Sequence, residues 1–251
     1  MIATDDCLRW LQSTPSQSID HCITDPPYEA EAHTLQRRVR RGPGDRNAKV
    51  EPLAFPPITN EMRVDVSRHI ARITRRWAVI FCQVEAVLSW RDALVSAGMS
   101  YRRTCVWIKP DGMPQLTGDR PGMGYESIVV CHARGASRWN GGGRVGVFSH
   151  NKSHADGRDQ SGRNAHPTTK PLPLMLELVE LFTDPGETVM DPFAGSGTTG
   201  VAFVLTGRHF TGCEIDPTFA ELARDRLRAA RNNSSLVAIR SGQIPMFGGT
   251  R

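Results

Sequence analysis

Three kinds of pattern are missing from this chain of 251 residues. Its six cysteines are scattered and form no C-x-x-C pair, so neither a zinc site nor any other metal site is expected. Several of them lie in apolar, strand-like runs, where a buried reduced thiol is the ordinary state. No signal peptide and no apolar run of membrane length is seen. These absences predict a reduced, cytoplasmic protein.

Acidic residues are outnumbered, since the formal net charge is +5 and the pI is about 9.1. The excess is concentrated in residues 102–165, which hold ten Lys or Arg and five Asp or Glu, a net +5 (10 − 5). Basic charge gathered in one segment favours a polyanionic partner. A solvated basic surface is the alternative.

The tetrapeptide Asp25-Pro26-Pro27-Tyr28 closes an apolar run, residues 19–24, that is typical of a short buried strand. Proline has no N–H group, so this turn presents carbonyl oxygens without competing donors. Asp25 adds a second acceptor and Tyr28 a flat aromatic face. Such a site can hold an exocyclic amine by its two hydrogens and stack the ring that carries it. Taken alone, the tetrapeptide is also compatible with an ordinary turn.

A second motif occupies residues 187–200. A short apolar strand is predicted to end at Asp191, followed by a glycine-rich turn and a helix over residues 201–205. Gly195 and Gly197 would let the backbone pass close to a ligand, and the start of the helix offers free N–H groups. Strand, glycine turn and helix together outline half of a nucleoside-binding doubly wound sheet.

An acid follows on the next predicted strand, residues 209–215. Glu214 lies 23 residues after Asp191 (214 − 191), near the roughly 20 expected for an acid that binds ribose hydroxyls. Asp216 and Pro217 then indicate the start of a helix. No G-x-x-x-x-G-K-[ST] sequence occurs, so an ATP phosphate loop is not expected. A glycine turn without a phosphate-binding lysine suits a cofactor without phosphates, such as S-adenosylmethionine.

Together the motifs resemble those of the DNA amino-methyltransferases, which modify adenine N6 or cytosine N4. The tetrapeptide comes first and the glycine turn last, an order similar to that of the beta group. Residues 4–8 resemble the family segment that contacts the cofactor's adenine, and residues 166–171 the segment that holds its methionine carboxylate. The resemblance, over residues 4–28 and 77–230, implies an α/β fold with a doubly wound, mostly parallel sheet, the Rossmann-like methyltransferase fold in permuted motif order.

The resemblance also assigns roles to single residues. The Asp25 side chain and the Pro26 carbonyl would accept the two amine hydrogens, and Tyr28 would stack on a base flipped out of duplex DNA. No covalent enzyme intermediate is needed. The implied catalytic residues are Asp25, Pro26, Pro27 and Tyr28. The implied cofactor-binding residues are Asp6, Cys7, Thr168, Lys170, Asp191, Phe193, Ala194, Gly195, Ser196, Gly197, Thr198 and Glu214.

We expect one methyltransferase domain over residues 1–251, with two basic stretches as candidate DNA contacts. Residues 29–60 are predicted to form a mobile basic loop, a lid or a DNA-binding arm unless it has no function. Residues 110–165 are the candidate target-recognition region, since arginine suits guanine edges and asparagine, here Asn140, suits adenine edges; a flexible loop has similar composition. The arginines concerned are Arg37, Arg38, Arg40, Arg41, Arg134, Arg138 and Arg144.

The remaining pattern predicts further regular elements. Helices are expected over residues 61–76, 85–97 and 172–182, and strands over residues 77–82, 103–109 and 127–132.

Aspartate rather than serine at position 25 favours adenine, because the resemblance associates Ser-Pro-Pro-Tyr more often with N4-cytosine. The chain is therefore expected to methylate adenine N6 in double-stranded DNA, as a homodimer, since beta-group members often pair. N4-cytosine methylation is the alternative within the class, and a catalytically inactive DNA-binding protein with this fold is the alternative outside it. No Pro-Cys pair occurs, which argues against the cytosine-C5 methyltransferases and their cysteine nucleophile.

Overall fold

The computed structural model describes residues 1–28, 57–112, 118–119, 121–152 and 170–232. Its strands are β1 (Ile2–Thr4), β2 (His21–Thr24), β3 (Trp77–Cys82), β4 (Ser100–Ile108), β5 (Tyr125–His132), β6 (Val147–Ser149), β7 (Thr188–Asp191) and β8 (His209–Glu214). Its α-helices are α1 (Cys7–Ser13), α2 (Asn60–Ile73), α3 (Val87–Ser96), α4 (Leu172–Phe182), α5 (Thr198–Leu205) and α6 (Pro217–Arg231). Arg37, Arg38, Arg40 and Arg41 of the predicted basic loop, and Thr168, lie outside the described residues.

The strands form one sheet in the order β1-β8-β7-β2-β3-β5-β4-β6. All neighbouring strands are parallel except at β5, which runs antiparallel to both β3 and β4. The predicted fold class, an α/β protein with a mostly parallel sheet, is confirmed. In the described ranges no helix is both long and apolar enough to cross a membrane.

Both faces of the sheet are covered, which explains why the central strand β3 is apolar along its whole length. Along β3, Trp77, Val79 and Phe81 enter one core, which α4, α5 and α6 complete. The alternate residues, Ala78, Ile80 and Cys82, enter the other core, under α1, α2 and α3. This period-two alternation arises from the pleat of the strand. All six cysteines are buried and none is in a disulfide.

The helix boundaries follow local capping chemistry. The side chain of Asp216 accepts from the Thr218 and Phe219 amides, and Pro217 is the first residue of α6, as predicted. The helix predicted over residues 85–97 begins instead as a 3₁₀ turn, residues 84–86, and continues as α3. The helix predicted over residues 61–76 ends earlier, with Thr74 as its C-cap.

The sheet order brings the two sequence motifs together. β2, which ends just before Asp25, is parallel to β7, which ends at Asp191, and the two strands are neighbours. The Thr24 hydroxyl donates to Asp191 Oδ1 at 2.6 Å, joining the two ends directly. The sheet continues from this pair to β3 on one side and to β8 on the other. The motifs therefore meet at the carboxyl ends of the central strands, where open α/β sheets bind ligands.

Candidate functional site

A cavity opens at this edge, where the carboxyl ends of β2, β7 and β8 meet. The catalytic tetrapeptide forms one part of its wall, and the glycine-rich turn after β7 forms another. The lining residues are Asp5, Asp6, Cys7, Asp25, Pro26, Pro27, Tyr28, Met62, Lys170, Asp191, Pro192, Phe193, Ala194, Gly195, Ser196, Thr198, Thr199, Glu214 and Ile215. Of the predicted catalytic and cofactor residues that the structure describes, only Gly197 is not among them.

Asp25 is the carboxylate of the tetrapeptide, and 20% of its side chain is exposed. Its Oδ2 accepts from Lys170 Nζ at 2.5 Å, whereas Oδ1 is buried without a hydrogen-bond partner among the described residues. Burial raises the pKa of Asp25 to about 6, against the opposing effect of the Lys170 ammonium. A buried acceptor without a donor is costly unless a ligand supplies one, so Oδ1 is suited to accept an N–H from a bound molecule.

Lys170 lines the cavity with the other predicted cofactor residues, but its ammonium group is already paired within the protein. The resemblance implied a contact with the cofactor's carboxylate, but Nζ lies between two protein carboxylates, 2.5 Å from Asp25 Oδ2 and 3.2 Å from Glu126 Oε2. It also lies 5.5 Å from the centre of the Tyr28 ring and 5.1 Å from that of Phe81. Lys170 therefore contacts two residues of the tetrapeptide, Asp25 and Tyr28.

The glycine turn owes its shape to two residues in the left-handed region, Gly195 at φ 52° and Gly197 at φ 80°. Gly195 N donates to Glu214 Oε2 at 2.8 Å, which brings the turn onto the end of β8. Gly197, by contrast, faces α6, because an added Cβ would lie 2.8 Å from the Ala223 Cβ. Gly197 is not among the described residues that line the cavity, and close packing against α6 is a reason of its own for glycine at this position.

A buried arginine supports the turn from behind. Arg226 Nη1 on α6 donates to the Ser196 carbonyl at 2.8 Å, to the Ser196 hydroxyl at 2.9 Å and to the Thr198 hydroxyl at 3.1 Å. Ser196 and Thr198 thus line the cavity with their hydroxyls already engaged. The only sign of this role in the sequence is a charged residue on the apolar face of the predicted helix.

Glu214 ends β8 beside the turn. Its two oxygens accept from Gly195 N and, at 2.9 Å, from Asp216 N. Burial raises the pKa of Glu214, while these amides oppose the shift. Carboxylate oxygens have two lone pairs each, so Glu214 keeps acceptor capacity toward the cavity. Ile215, next to it, is 63% exposed and adds an apolar surface to the lining.

The segment after β1 completes the cavity. The Asp6 side chain is the N-cap of α1 and accepts from the Leu8 and Arg9 amides at 3.0 and 3.1 Å. Cys7 is buried at the first position of that helix. Both residues line the cavity, as predicted, but the Asp6 carboxylate already has a structural role. Asp5, from the segment expected at the cofactor's adenine, and Pro192, from the glycine-rich turn, line it as well, whereas Met62, Thr199 and Ile215 were not predicted.

The glycine pattern alone does not identify the ligand. Residues 195–200, Gly-Ser-Gly-Thr-Thr-Gly, also have the G-x-G-x-x-G spacing of dinucleotide-binding turns. The charge of the lining separates the two classes, because the described lining residues include five acids and a single lysine. Such a wall disfavours a pyrophosphate and favours a cation.

Two of the predicted DNA-binding arginines lie far from this cavity. Arg134 and Arg138 follow β5, whose last residue pairs with Trp77 at the start of β3, and Trp77 Nε1 donates to the Arg138 carbonyl at 2.8 Å. This is the opposite edge of the sheet, about 20 Å away for a strand of this length. The position does not fit the reading of a base beside the cavity.

The rest of that stretch is attached to α4. Arg144 pairs with Glu177, and the Asn140 amide donates to the carbonyls of Glu180 and Thr183 at 3.0 and 3.1 Å. Asn140 is therefore occupied with capping the end of the helix, and its predicted role in reading adenine has no support in these contacts. The sequence Arg-Trp-Asn-Gly-Gly-Gly indicates a loop but not its anchor.

Known proteins are similar to this chain in both sequence and fold. A family model described as DNA methylase matches residues 19–225. The type II methyltransferase M.XycI of Xanthomonas campestris pv. cyanopsidis is 31% identical over 160 residues, 60% of this chain, and the matched segment spans about half, 53%, of that relative.

Two solved structures show the same fold. The M1.HpyAVI–SAM complex has a TM-score of 0.68 at 23% identity, over 90% of this chain and 98% of that one. The cytosine-N4-specific PvuII DNA methyltransferase has a TM-score of 0.67 at 18% identity, over 96% and 89%. With the family model matching most of its length, the chain belongs to the N6/N4 DNA methylase family.

Proposed function

We propose that this protein transfers a methyl group from S-adenosylmethionine to the N6 amine of adenine in double-stranded DNA. The observation that carries the proposal is the position of Asp25 Oδ1, a buried acceptor for which the described part of the chain supplies no donor, in the same cavity as the glycine turn and Glu214. One part of the cavity thus suits an exocyclic amine and the other a nucleoside.

The residues present fit this cofactor. S-adenosylmethionine supplies an activated methyl group on a positively charged sulfur and carries no phosphate, which suits a wall with five acids and one lysine. Glu214 would accept from ribose hydroxyls with its remaining lone pairs. The Gly195 turn would bring the backbone close to the methionine part, and Asp6 and Cys7 would lie beside the adenine.

The tetrapeptide would act on the target base. The lone pair of adenine N6 is delocalised into the ring, which makes the amine a poor nucleophile. Asp25 Oδ1 and the Pro26 carbonyl would accept its two hydrogens and favour a more tetrahedral nitrogen. Tyr28 would stack on the base, which must leave the helix at a cost of a few kcal/mol. Holding the amine in line with the methyl group would supply much of the rate.

The identity of the methylated base is the most specific part of the proposal, and it can be tested directly. We expect nucleosides from DNA treated with the protein to contain N6-methyladenine and no N4-methylcytosine, because position 25 is aspartate rather than serine. Mass spectrometry of the digest decides between them. N4-methylcytosine as the sole product would favour the alternative, which the similarity in fold to the cytosine-N4-specific PvuII enzyme keeps open.

Sequence recognition is proposed for the part of residues 110–165 at the catalytic edge. The β4–β5 connection and the end of β6 both lie there, and Lys152 N donates to both oxygens of Asp111 at 2.9 and 3.0 Å, joining the two segments. We expect Lys152→Ala to weaken DNA binding and, if Lys152 holds a phosphate, to reduce the salt slope by about one. Arg134→Ala, at the opposite edge, is the matched control, and a larger effect there would contradict this placement.

A homodimer is proposed on the resemblance, and the structure offers a surface for it. Val84, Leu88 and Val95 are exposed at helical spacing along the 3₁₀ turn and α3, with Leu88 58% exposed. A charge in the middle of such a face opposes burial, so Leu88→Glu should convert a dimer into a monomer by light scattering. Leu205→Glu, exposed on α5, is the control. A wild-type monomer with full activity would remove the dimer proposal.

An inactive DNA-binding protein with this fold predicts the opposite result for the enzyme assay. It would bind DNA without transferring a methyl group. Methyl transfer by the wild-type chain therefore separates the two functions.

A further inference from the structure

A buried row of alternating charges lies behind the cavity. Asp25 pairs with Lys170, Lys170 Nζ lies 3.2 Å from Glu126 Oε2, and Lys109 Nζ donates to Glu126 Oε1. The side chains of Glu126 and Lys109 are only 12% and 10% exposed, and neither is among the described residues that line the cavity. Two buried carboxylates and two buried ammonium groups balance, which is how such charges are tolerated.

The sheet fixes this row in place. Glu126 is the second residue of β5, opposite Trp107 of β4, and Lys109 follows the end of β4 directly. Lys109 Nζ lies 4.7 Å from the centre of the Trp107 ring. Because β5 is antiparallel to β3, its first residues lie at the catalytic edge. Glu126 is thus held by two strands and reaches the site only behind Lys170 and Tyr28.

The pairing raises a conflict for methyl transfer. Asp25 must accept an N–H from the target amine, yet its Oδ2 is held by an ammonium that withdraws electron density from the carboxylate. Lys170 has a second carboxylate within ion-pair distance. A small movement of Nζ would therefore exchange its ion pair with Asp25 for one with Glu126.

We propose that Glu126 is a positioning residue for methyl transfer, which draws the Lys170 ammonium toward itself when the target amine binds and so strengthens the Asp25 carboxylate as the acceptor of the amine N–H. Lys109 limits this pull, because its own ammonium neutralises Glu126. The inference rests on the proposed function and adds control of Asp25 by a pair of residues outside the cavity.

The charges of the row determine the direction in which each substitution should shift the pKa of Asp25. Burial raises the pKa of Asp25 to about 6, with Lys170 and Lys109 opposing the shift and Glu126 supporting it. Burial alone would raise the pKa of Glu126, but Lys170 and Lys109 hold it down to about 2, so Glu126 stays charged at the working pH. The charged or titratable groups that act on Asp25 or Glu126 are Tyr28, Lys109, Lys170 and Asp191, and Cys82 acts on Tyr28 in turn.

The test uses the full chain with S-adenosylmethionine and duplex DNA. The acid limb of kcat/KM reports groups of the free enzyme, and we expect it near the pKa of about 6 of Asp25, since the ionised carboxylate is the active form. Glu126→Gln should move this limb to lower pH and lower the plateau of kcat about 10- to 100-fold, as small misplacements of reacting groups do. Lys109→Met should move the limb to higher pH.

Controls separate positioning from structural damage. Glu126→Asp keeps the charge and should restore the position of the acid limb, and Glu221→Gln, exposed on α6, should leave both readouts unchanged. Cofactor affinity by calorimetry should be unchanged in every variant. Limbs that stay fixed, or that move in the same direction in Glu126→Gln and Lys109→Met, overturn the inference.

The outcomes also distinguish the inference from the function on which it rests. If the wild type is active but the acid limb does not shift in the variants, only the role of Glu126 is contradicted. If the wild type transfers no methyl group, the proposed function and the role of Glu126 are both contradicted. Thermal unfolding identifies a variant that fails to fold. If Glu126→Gln does so, Lys109→Met decides, because a limb that is unchanged or lowered there contradicts the proposal.

Discussion

Asp25→Ala is expected to lower the rate of methyl transfer on the order of 10²- to 10³-fold, the usual cost of removing one preorganised hydrogen-bonding group from a reacting centre. The substitution removes the acceptor that faces the target amine. Cofactor affinity should persist, since the glycine turn and Glu214 belong to β7 and β8. The fold should persist as well, because the Lys170 ammonium keeps Glu126 as a partner.

Rate and cofactor affinity must be measured on the same preparation. Glu221→Ala is the control, since Glu221 is exposed on α6 and does not line the cavity. A near-normal rate in Asp25→Ala would contradict the assignment of Asp25. A parallel loss of cofactor affinity would show that Asp25 acts on the cofactor instead of the base.

Among alanine substitutions at the glycines of turns, Gly197→Ala is expected to cause the largest loss of folding stability. At φ 80° an L-residue costs about 1–2 kcal/mol. The new Cβ would also lie 2.8 Å from the Cβ and 3.0 Å from the Cα of Ala223 on α6, and overpacking of this kind adds about 1–3 kcal/mol.

Gly207 is a matched control for this prediction. Its φ of 72° is close to that of Gly197, but nothing described lies within 4 Å of an added Cβ. Gly207→Ala should therefore show the backbone cost alone, and the difference between the two variants in urea-induced unfolding isolates the contact with α6. Equal free energies of unfolding would show that the turn and α6 are not closely packed.

The elements with strong local signals were predictable from the sequence. The bounds of β3 and α4 agree with the structure because β3 has six apolar residues in a row and α4 is apolar except for Glu177 and Glu180, which leaves little ambiguity. The cap at Asp216 was predictable because its hydrogen bonds involve only neighbouring residues. β1 and β6 were missed because three residues are too short to show a period.

The two motifs were recognisable individually, but the partners of their side chains were not. Lys170 was expected at the cofactor, and its pairing with Glu126 depends on strand order, which brings residues 44 apart (170 − 126) into contact. A signal was present: Glu126 directly precedes the strand predicted over residues 127–132, and a charge buried beside a strand requires a partner. The packing of Gly197 against α6 was not predicted, because a glycine required for helix packing and one required for a ligand look alike in a sequence.

The central claim is that Asp25 and the cofactor turn form one active site for methyl transfer to a base amine. Its most direct measurement is the transfer of label from methyl-labelled S-adenosylmethionine to unmodified genomic DNA by the purified chain, followed by nucleoside analysis. The account predicts label on an exocyclic amine, as N6-methyladenine, with wild-type protein and its near-complete loss with Asp25→Ala. A protein that binds the cofactor and DNA but leaves every base unlabelled, or that labels a ring carbon, would contradict it.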